Sequence, residues 1–380
     1  MLIQCAQLYP LEIPMSKPIK MAGETLTHAH TLLIRLIDKS GREGWGEASA
    51  APLMTGETLG TIAASTEYLI SKLMGKSIDE ASSIGQIQDQ VLYGNASAKS
   101  CYETALVDLF SQIHGVPMHQ FLAGKEAISG NGRLEMLHML ASGNLESEVE
   151  EASALRLQGY RQWKIKVGSG GISNDVLRVR ELCKILQGDV VSADANQSLS
   201  VEVALAIAVE GKRCGLSFFE QPFKTDMIDE MGDLYRATHL PLCADESIQG
   251  LHDIIEHAKL NAAQGISLKL IKLGGTQAML NAGRECLKRG MKINLACKVA
   301  ETTISAAATA HVGFALGDVA WGFSMSNRYL AFDICENPLV AVQGAVSANQ
   351  FTEPGLGFSP DSRQLREFAS AAFPMREFRI

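Results

Sequence analysis

The sequence predicts an α/β fold: a (β/α)8-type TIM barrel preceded by an N-terminal α+β region. Three observations carry this. From about Arg133 onward, short apolar runs alternate with amphipathic helical segments, about 25 to 30 residues per repeat, the pattern of parallel βα units. Eight such runs can be read: LEMLHML, QWKIKV, DVVSADA, LSFFEQP, LPLCADE, GISLKL, MKINLAC and DVAWGFS. Eight units close a barrel of about 250 residues. Nothing like G-x-G-x-x-G follows a first strand, which weighs against an open, doubly wound dinucleotide-binding sheet.

Taken in order, Leu2 to Ile13 has strand character and His30 to Ile37 is a second strand. Asp38-Lys39-Ser40-Gly41 is a turn, and Trp45-Gly46-Glu47 returns as the next strand of a hairpin or meander. Helical segments follow near Glu57 to Met74, Ile78 to Leu92 and Ser97 to Gly115. The last carries Ala105, Leu106, Leu109 and Phe110 on one face and stops at His114-Gly115-Val116-Pro117. In the barrel, Gly159, Gly215 and Gly290 fall where helices should end. Glu353 to Phe358 is loop-like and leaves the barrel. The expected division is an N-terminal region at 1–130, a barrel at 131–345 and a terminal segment at 346–380.

The 380 residues are 46% hydrophobic and 20% charged, which supplies a large core and excludes a disordered chain. The formal net charge is -8 with no dominant Lys/Arg run, so the footprint of a nucleic-acid binder is missing. No run approaches the ~18 apolar residues of a membrane span. The first residues lack a basic-then-apolar leader pattern, and a cytoplasmic location is expected. Eight cysteines are scattered without a C-x-x-C pair, so neither a zinc knuckle nor a disulfide framework is indicated.

Polar residues at the ends of the apolar runs carry the chemistry. Period-2 alternation in Trp163-Lys164-Ile165-Lys166-Val167 places Lys164 and Lys166 on one face of an otherwise apolar strand. The next three runs end in Asp194, Glu220 and Asp245, and the one after contains Lys269. The carboxyl ends of barrel strands converge on one pocket, so three acids and their flanking lysines face a common centre. Carboxylates aimed together do not all ionise unless a cation neutralises them. An oxygen-only set favours a hard ion, Mg²⁺ before Mn²⁺. Lysines facing each other across a metal-bound carboxylate can remove and return an α-proton while the metal stabilises the enediolate. Burial, nearby cations and the metal are expected to lower the pKa values of these facing lysines toward neutrality.

Singly, each residue has a plainer explanation. Asp194 could cap a helix, Lys164 could be an edge lysine, Lys269 a surface charge and Glu246 a salt-bridge partner. As a set in strand register they resist it, because barrel strands are normally filled by apolar side chains. Asn196 reads as support for the metal site or as a turn residue. Glu246, next to Asp245, is expected to point away from the metal into a supporting or ion-pair role. His138 either faces substrate or is a satisfied core histidine. Met21, Met54 and Met136 line an adaptable pocket or simply pack.

Six motifs occur in a telling order: the KxK of Lys164 and Lys166, ADAN with Asp194 and Asn196, EQP with Glu220, ADES with Asp245, LKLIKLGG with Lys269, and AETTISAAA with Glu301. With them the chain resembles, over nearly its whole length, the mandelate racemase and muconate lactonizing enzyme family of the enolase superfamily, closest to the muconate lactonizing branch. GWGE near Glu47, the helix around Asp108 and the closing PGLGFSPD are weaker matches. A lysine base working with Mg²⁺ is this superfamily's established chemistry. The resemblance implies Mg²⁺ on Asp194, Glu220 and Asp245, with Lys166 and Lys269 as acid/base on opposite faces of the substrate. It implies that Lys164 holds the substrate carboxylate and depresses the pKa of Lys166. Glu301, on the seventh strand, would orient a catalytic group or contact substrate. The N-terminal domain, completed by the C-terminal segment, would cap the barrel, with loops Lys20 to Thr27 and Ala50 to Glu57 as a lid. Thr25 and Thr55 in those loops would touch a small-molecule carboxylate substrate, and a homo-oligomer is expected.

Two departures bear on the substrate. Dipeptide epimerases of this branch carry Asp-x-Asp on the eighth strand to hold the substrate ammonium, whereas Gly322 to Asn327 contains no acid here. Lys298 stands where relatives usually have a small residue. Pointing inward it would receive a second anionic group of the substrate, and pointing outward it would pair with a neighbouring carboxylate. The expected activity is that of a racemase or epimerase. A muconate-type cycloisomerase or a dehydratase on the same scaffold is the alternative, and a non-catalytic binding protein is a third reading.

Overall fold

The computed structural model describes residues 1–21, 24–78, 84–124 and 130–380. Strands β1 (Ile3–Met21), β2 (Glu24–Asp38) and β3 (Glu43–Ser49) form an antiparallel meander. The β2–β3 reversal is an Asx turn: Asp38 Oδ1 accepts from the backbone N–H of Ser40 at 2.7 Å and of Arg42 at 3.0 Å. The segment expected as a loop from Lys20 to Thr27 is instead the tip of the β1–β2 hairpin. Lys20 pairs with Thr25 and Met21 with Glu24 after a register shift between Pro14 and Ile19. Ala22 and Gly23 lie outside the described residues.

Helices α1 (Leu59–Leu73), α2 (Ile84–Val91), α3 (Ala96–Ile113) and α4 (Met118–Ala123) follow. The second helix begins later than its sequence pattern suggests, and residues 79–83 lie outside the described residues. Helix α3 rests directly on β3 because of the GWGE glycines. A Cβ on Gly46 would lie 2.0 Å from the Cys101 carbonyl oxygen, and one on Gly44 2.1 Å from that of Ala105. No side chain larger than hydrogen permits this contact.

Strand β4 (Arg133–Glu135) leads into the barrel, in which all eight apolar runs are strands. The order is β5 (Leu137–Leu140), α5 (Leu145–Leu157), β6 (Gln162–Lys166), α6 (Ile172–Ile185), β7 (Val190–Asp194) and α7 (Val201–Cys214). It continues with β8 (Phe218–Glu220), α8 (Ile228–Thr238), β9 (Leu242–Ala244), α9 (Leu251–Lys259), β10 (Gly265–Leu268), a short α10 (Leu270–Leu273) and α11 (Thr276–Lys288). The last units are β11 (Lys292–Ala296), α12 (Thr303–Leu316) and β12 (Phe323–Ser324). Strands β5 to β12 are parallel neighbours in chain order. A bridge between Met136 and Phe323 brings the first and last together, so the barrel is nearly closed. After it, β13 (Ala345–Ser347) pairs with β4, α13 (Ser362–Glu367) follows, and β14 (Arg376–Arg379) adds to β1. The C-terminal tail thus returns to the N-terminal sheet. One continuous apolar core runs from that sheet into the barrel. Among the described residues no helix is long and apolar enough to cross a membrane.

Buried carboxylates hold the sheet layer at one end of the barrel. Helices that follow parallel strands begin at the strands' carboxyl ends, and their free N–H groups and dipoles favour anions. Glu47 of β3 accepts from Thr302 N at 3.0 Å, Thr302 Oγ1 at 2.7 Å and Ser305 N at 2.9 Å, at the start of α12. Glu103 of α3 accepts from Thr276 N at 2.7 Å and Gln277 N at 2.9 Å, at the start of α11. Asp108 ties the three weaker motifs together. It accepts from Trp45 N at 2.9 Å, from Leu356 N at 2.8 Å and from Gln112 of its own helix at 2.9 Å.

Candidate active site

The barrel places the candidate residues on one rim. On β6 alternation buries Trp163 and Ile165 in the packing while Lys164 and Lys166 enter the centre. Lys166 is in register with Asp194 on β7, and Asp194 with Glu220 on β8. Asp245 follows the last residue of β9, and Lys269 follows the last residue of β10. Lys164, Asp194, Glu220, Asp245 and Lys269 are buried, and Lys166 is partly exposed. All six line one cavity of about 70 Å³, with Met139, Ser324, Met325, Ser326 and Tyr329 on its far wall.

Each carboxylate meets ammonium groups. Lys164 Nζ lies 2.6 Å from Glu220 Oε2 and 3.9 Å from Asp194 Oδ2. Lys166 Nζ donates to Asp194 Oδ2 at 2.6 Å. Lys269 donates to Asp245 Oδ2. Sequence reasoning missed Lys272, which donates to Asp245 Oδ1 at 2.7 Å and to the Ser267 carbonyl at 3.0 Å. The signal was available in LKLIKLGG, since a lysine one helical turn beyond Lys269 shares its face.

Burial and charge compete at every group. For Lys164 burial opposes the ammonium, but Glu220 and then Asp194 outweigh it and its pKa is raised. For Lys269 burial is again outweighed, by Asp245 and then Glu246. Both ammonium groups face carboxylates directly, which is why charge outweighs burial there. Lys272 does fall, since burial dominates there. Burial also opposes the Asp245 carboxylate, yet Lys269 and Lys272 together hold its pKa well below the usual range. Glu220 is raised by burial.

Asp194, Glu220 and Asp245 offer only oxygen donors, desolvated and drawn from three consecutive strands. That donor chemistry fits a hard divalent cation. A separate trio, His252, Asp253 and Glu256 on α9, has ligand atoms within 4.8 Å of one another, but it is exposed or half-buried and none of the three lines the cavity.

Two sequence families match. Residues 7–123 match the mandelate racemase / muconate lactonizing enzyme N-terminal domain, and residues 147–364 match the enolase C-terminal domain-like family. The chain is 30% identical over 312 residues to the L-Ala-D/L-Glu epimerase of Bacillus subtilis (strain 168), covering 79% of this chain and 82% of that protein. The chain belongs to the mandelate racemase/muconate lactonizing enzyme family. It is 28% identical over 368 residues to the chloromuconate cycloisomerase of Cupriavidus pinatubonensis, covering 95% and 97% of the two chains. The crystal structure of the dipeptide epimerase from Cytophaga hutchinsonii complexed with Mg and the dipeptide D-Ala-L-Val superposes with a TM-score of 0.88 at 25% identity, covering 99% of this chain and 100% of that one. Amid epimerases, racemases and cycloisomerases, this member of the mandelate racemase/muconate lactonizing enzyme family is an isomerase.

The remaining candidates of this family member are placed less uniformly. Glu301 is not on the seventh barrel strand: β11 ends at Ala296, and Glu301 closes a turn beyond it. Its Oε2 accepts from Lys298 N at 2.9 Å, and Ala300 takes a left-handed φ of 76° inside that turn. Burial and then the Glu47 charge push the Glu301 pKa up to about 8. Lys298 lines both the cavity and a neighbouring vestibule of about 340 Å³. That vestibule lies between the sheet layer and the barrel mouth, bounded by Leu26, His28, His30, Leu53, Glu246 and Phe373, and it shares Met54 and Asn196 with the cavity.

Thr25 and Thr55 line neither space. Thr25 is exposed on β2, and the Thr55 hydroxyl serves its own loop, accepting from Glu57 N at 3.4 Å. The Ala50–Glu57 segment contributes Met54 instead. His138 is a satisfied core histidine, bonded to Glu151 at 2.9 Å and to Arg328 at 3.0 Å, while its neighbours Leu137 and Met139 face the cavity. Met136 is buried packing.

Proposed function

We propose that the chain is a Mg²⁺-dependent racemase or epimerase of a small carboxylate or amino-acid derivative, with Lys166 and Lys269 moving the α-proton on opposite faces. One observation carries this reading. The strands that present the two lysines, β6 and β10, are four places apart in a ring of eight, so the lysines approach one cavity from opposite sides.

Lys164, deepest on β6, is suited to hold the substrate carboxylate. Asp194, Glu220 and Asp245 would hold the metal; Mn²⁺ could replace Mg²⁺ on the same oxygens. When bound, the metal supplies fixed positive charge where the substrate carboxylate gains negative charge on loss of the α-proton. The lysine on one face, as the free amine, takes that proton. The opposite lysine, as the ammonium, returns one to the other face of the same carbon. Proton count and charge balance over the cycle, and configuration is inverted. The Mg-bound dipeptide epimerase that this chain resembles supports the choice of metal and of reaction.

The far wall narrows the substrate. Ser324, Met325 and Ser326 line it without a carboxylate, so it is unsuited to a free ammonium group, and an N-blocked or amine-free substrate fits better. Lys298 at the junction of the two spaces favours a second anionic group. The same features favour a second reading, a muconate-type cycloisomerase, which needs only one of the two lysines. Incubation with Mg²⁺ in D₂O and a pooled library of acylated amino acids, dipeptides, hydroxy acids and unsaturated diacids tests both. Deuterium at an α-carbon with an intact skeleton is the expected result. A new ring or loss of water moves the assignment to a cycloisomerase or dehydratase. Absence of both exchange and Mg²⁺ binding removes the catalytic reading. With a substrate in hand, Lys298→Ala should shift preference from diacids toward monoacids. A division at 1–130, 131–345 and 346–380 and a homo-oligomeric assembly belong to the same proposal, checked by domain dissection and by light scattering.

A further inference from the structure

Asn196 stands between Lys166 and Glu246. Its Oδ1 accepts from the Lys166 ammonium, and its Nδ2 donates to Glu246 Oε1 at 3.0 Å. Its backbone N–H goes to Asp194 Oδ1, also at 3.0 Å. This aim depends on an unusual backbone: φ is 42° at Asn196 and 66° at Gln197. Left-handed conformations are costly for a residue other than glycine and concentrate where function requires them. The Gln197 N–H on the Gln221 carbonyl, at 2.8 Å, holds the turn in place.

A primary amide has one accepting end and one donating end. Reversed, the Asn196 amide would point N–H groups at an ammonium and its oxygen at a carboxylate, two repulsive contacts. Glu246 therefore decides which end meets Lys166. Glu246 is 5% exposed in the vestibule wall, with its Oε1 turned to the Asn196 amide. Both ammonium groups donate straight to a carboxylate, Lys166 to Asp194 and Lys269 to Asp245, but of the two Lys166 is the one that also meets an amide oxygen. The two lysines thus depend on different devices.

We infer that Asn196 and Glu246 are a positioning pair for Lys166: Glu246 orients the amide, and the amide oxygen fixes where the Lys166 nitrogen stands. The inference rests on the reading of Lys166 as an acid/base, but its test needs no substrate. Trace acetylation with acetic anhydride at fixed pH, followed by peptide mass spectrometry, reports the reactivity of each lysine in the folded full-length chain. Asn196→Ala and Asn196→Gly, the second of which suits the left-handed backbone, should each change the Lys166 rate by about threefold or more through loss of one hydrogen bond. Lys269, the internal control, should stay within about twofold of its original rate in these variants. Glu246→Ala should reproduce the Lys166 change. Glu246→Gln, which keeps an oxygen for Nδ2, should restore the original Lys166 rate. An unchanged Lys166 rate in both Asn196 variants, an equal change at Lys166 and Lys269 in those two variants, or failure of Glu246→Gln to differ from Glu246→Ala at Lys166 overturns the inference. A library that yields no exchanging compound would count against the proposed reaction and leave this result standing.

Discussion

Lys269 and Lys272 divide one carboxylate between them: Lys269 bonds Asp245 Oδ2, and Lys272, one helical turn on, bonds Oδ1. Their surroundings then part. Lys269 lines the cavity, whereas Lys272 has no exposed surface and also serves the Ser267 carbonyl. One ammonium is placed for chemistry and the other for structure.

Lys272→Met should therefore act on stability. It strips a buried charge partner from Asp245, and breaking a buried pair from one side costs about 3–5 kcal/mol. Urea unfolding should show a lower midpoint with a similar slope. A variant as stable as the parent would mean that Lys269 alone satisfies Asp245.

Lys166→Ala and Lys269→Ala should act on rate, and in mirror fashion. Each should lower racemisation by about 10²- to 10⁴-fold, the usual contribution of one general acid or base. Each should also leave deuterium exchange of one enantiomer nearly intact. Exchange of the two enantiomers, followed separately by NMR, reads this directly. Loss of both exchanges in either variant would mean that the lysines do not work independently.

Stability should fall as pH rises from about 5 to about 8. Burial raises the folded-state pKa of Glu301 to about 8, of Glu103 to about 7 and of Asp108 to about 6. The folded chain thus binds protons more tightly than the unfolded chain, where these carboxyls take ordinary values. Their contribution is complete below those ordinary values and is lost as pH passes through the raised ones. The loss at any one group is bounded at about 1.4 kcal/mol for each pH unit separating its ordinary pKa from its raised one. Glu301→Gln should flatten the upper part of the profile, which urea midpoints at several pH values would show.

Glu103→Ala should loosen the sheet layer on the barrel. It removes the acceptor for Thr276 N and Gln277 N at the start of α11. The unsatisfied donors cost about 1–3 kcal/mol. Limited proteolysis should cut faster between the two layers while the circular dichroism of the folded chain stays the same.

Much of the molecule was legible without coordinates. The eight barrel strands, their order and the inward face of Lys164 and Lys166 follow from period-2 alternation and from the run-helix-run rhythm. Both are local properties that a short stretch of chain expresses by itself. So does the end-of-strand position of Asp194 and Glu220, which next to parallel neighbours leaves a single direction to face. The absence of an acid at the end of the eighth strand is likewise written in Gly322 to Asn327.

What packing alone decided lies between residues far apart in the chain. Glu47 on Thr302, Glu103 on Thr276 and Asp108 on Leu356 depend on how one layer is laid on another. The same holds for Glu301, expected on a strand but set in a turn against Glu47, and for Thr25, carried to an exposed hairpin tip by pairing that extends the strands. It holds too for the lysine pKa values, because the sign depends on which carboxylate ends up opposite each ammonium. Periodicity fixes the face of the strand on which a side chain lies; only the assembled barrel determines which charge it meets there.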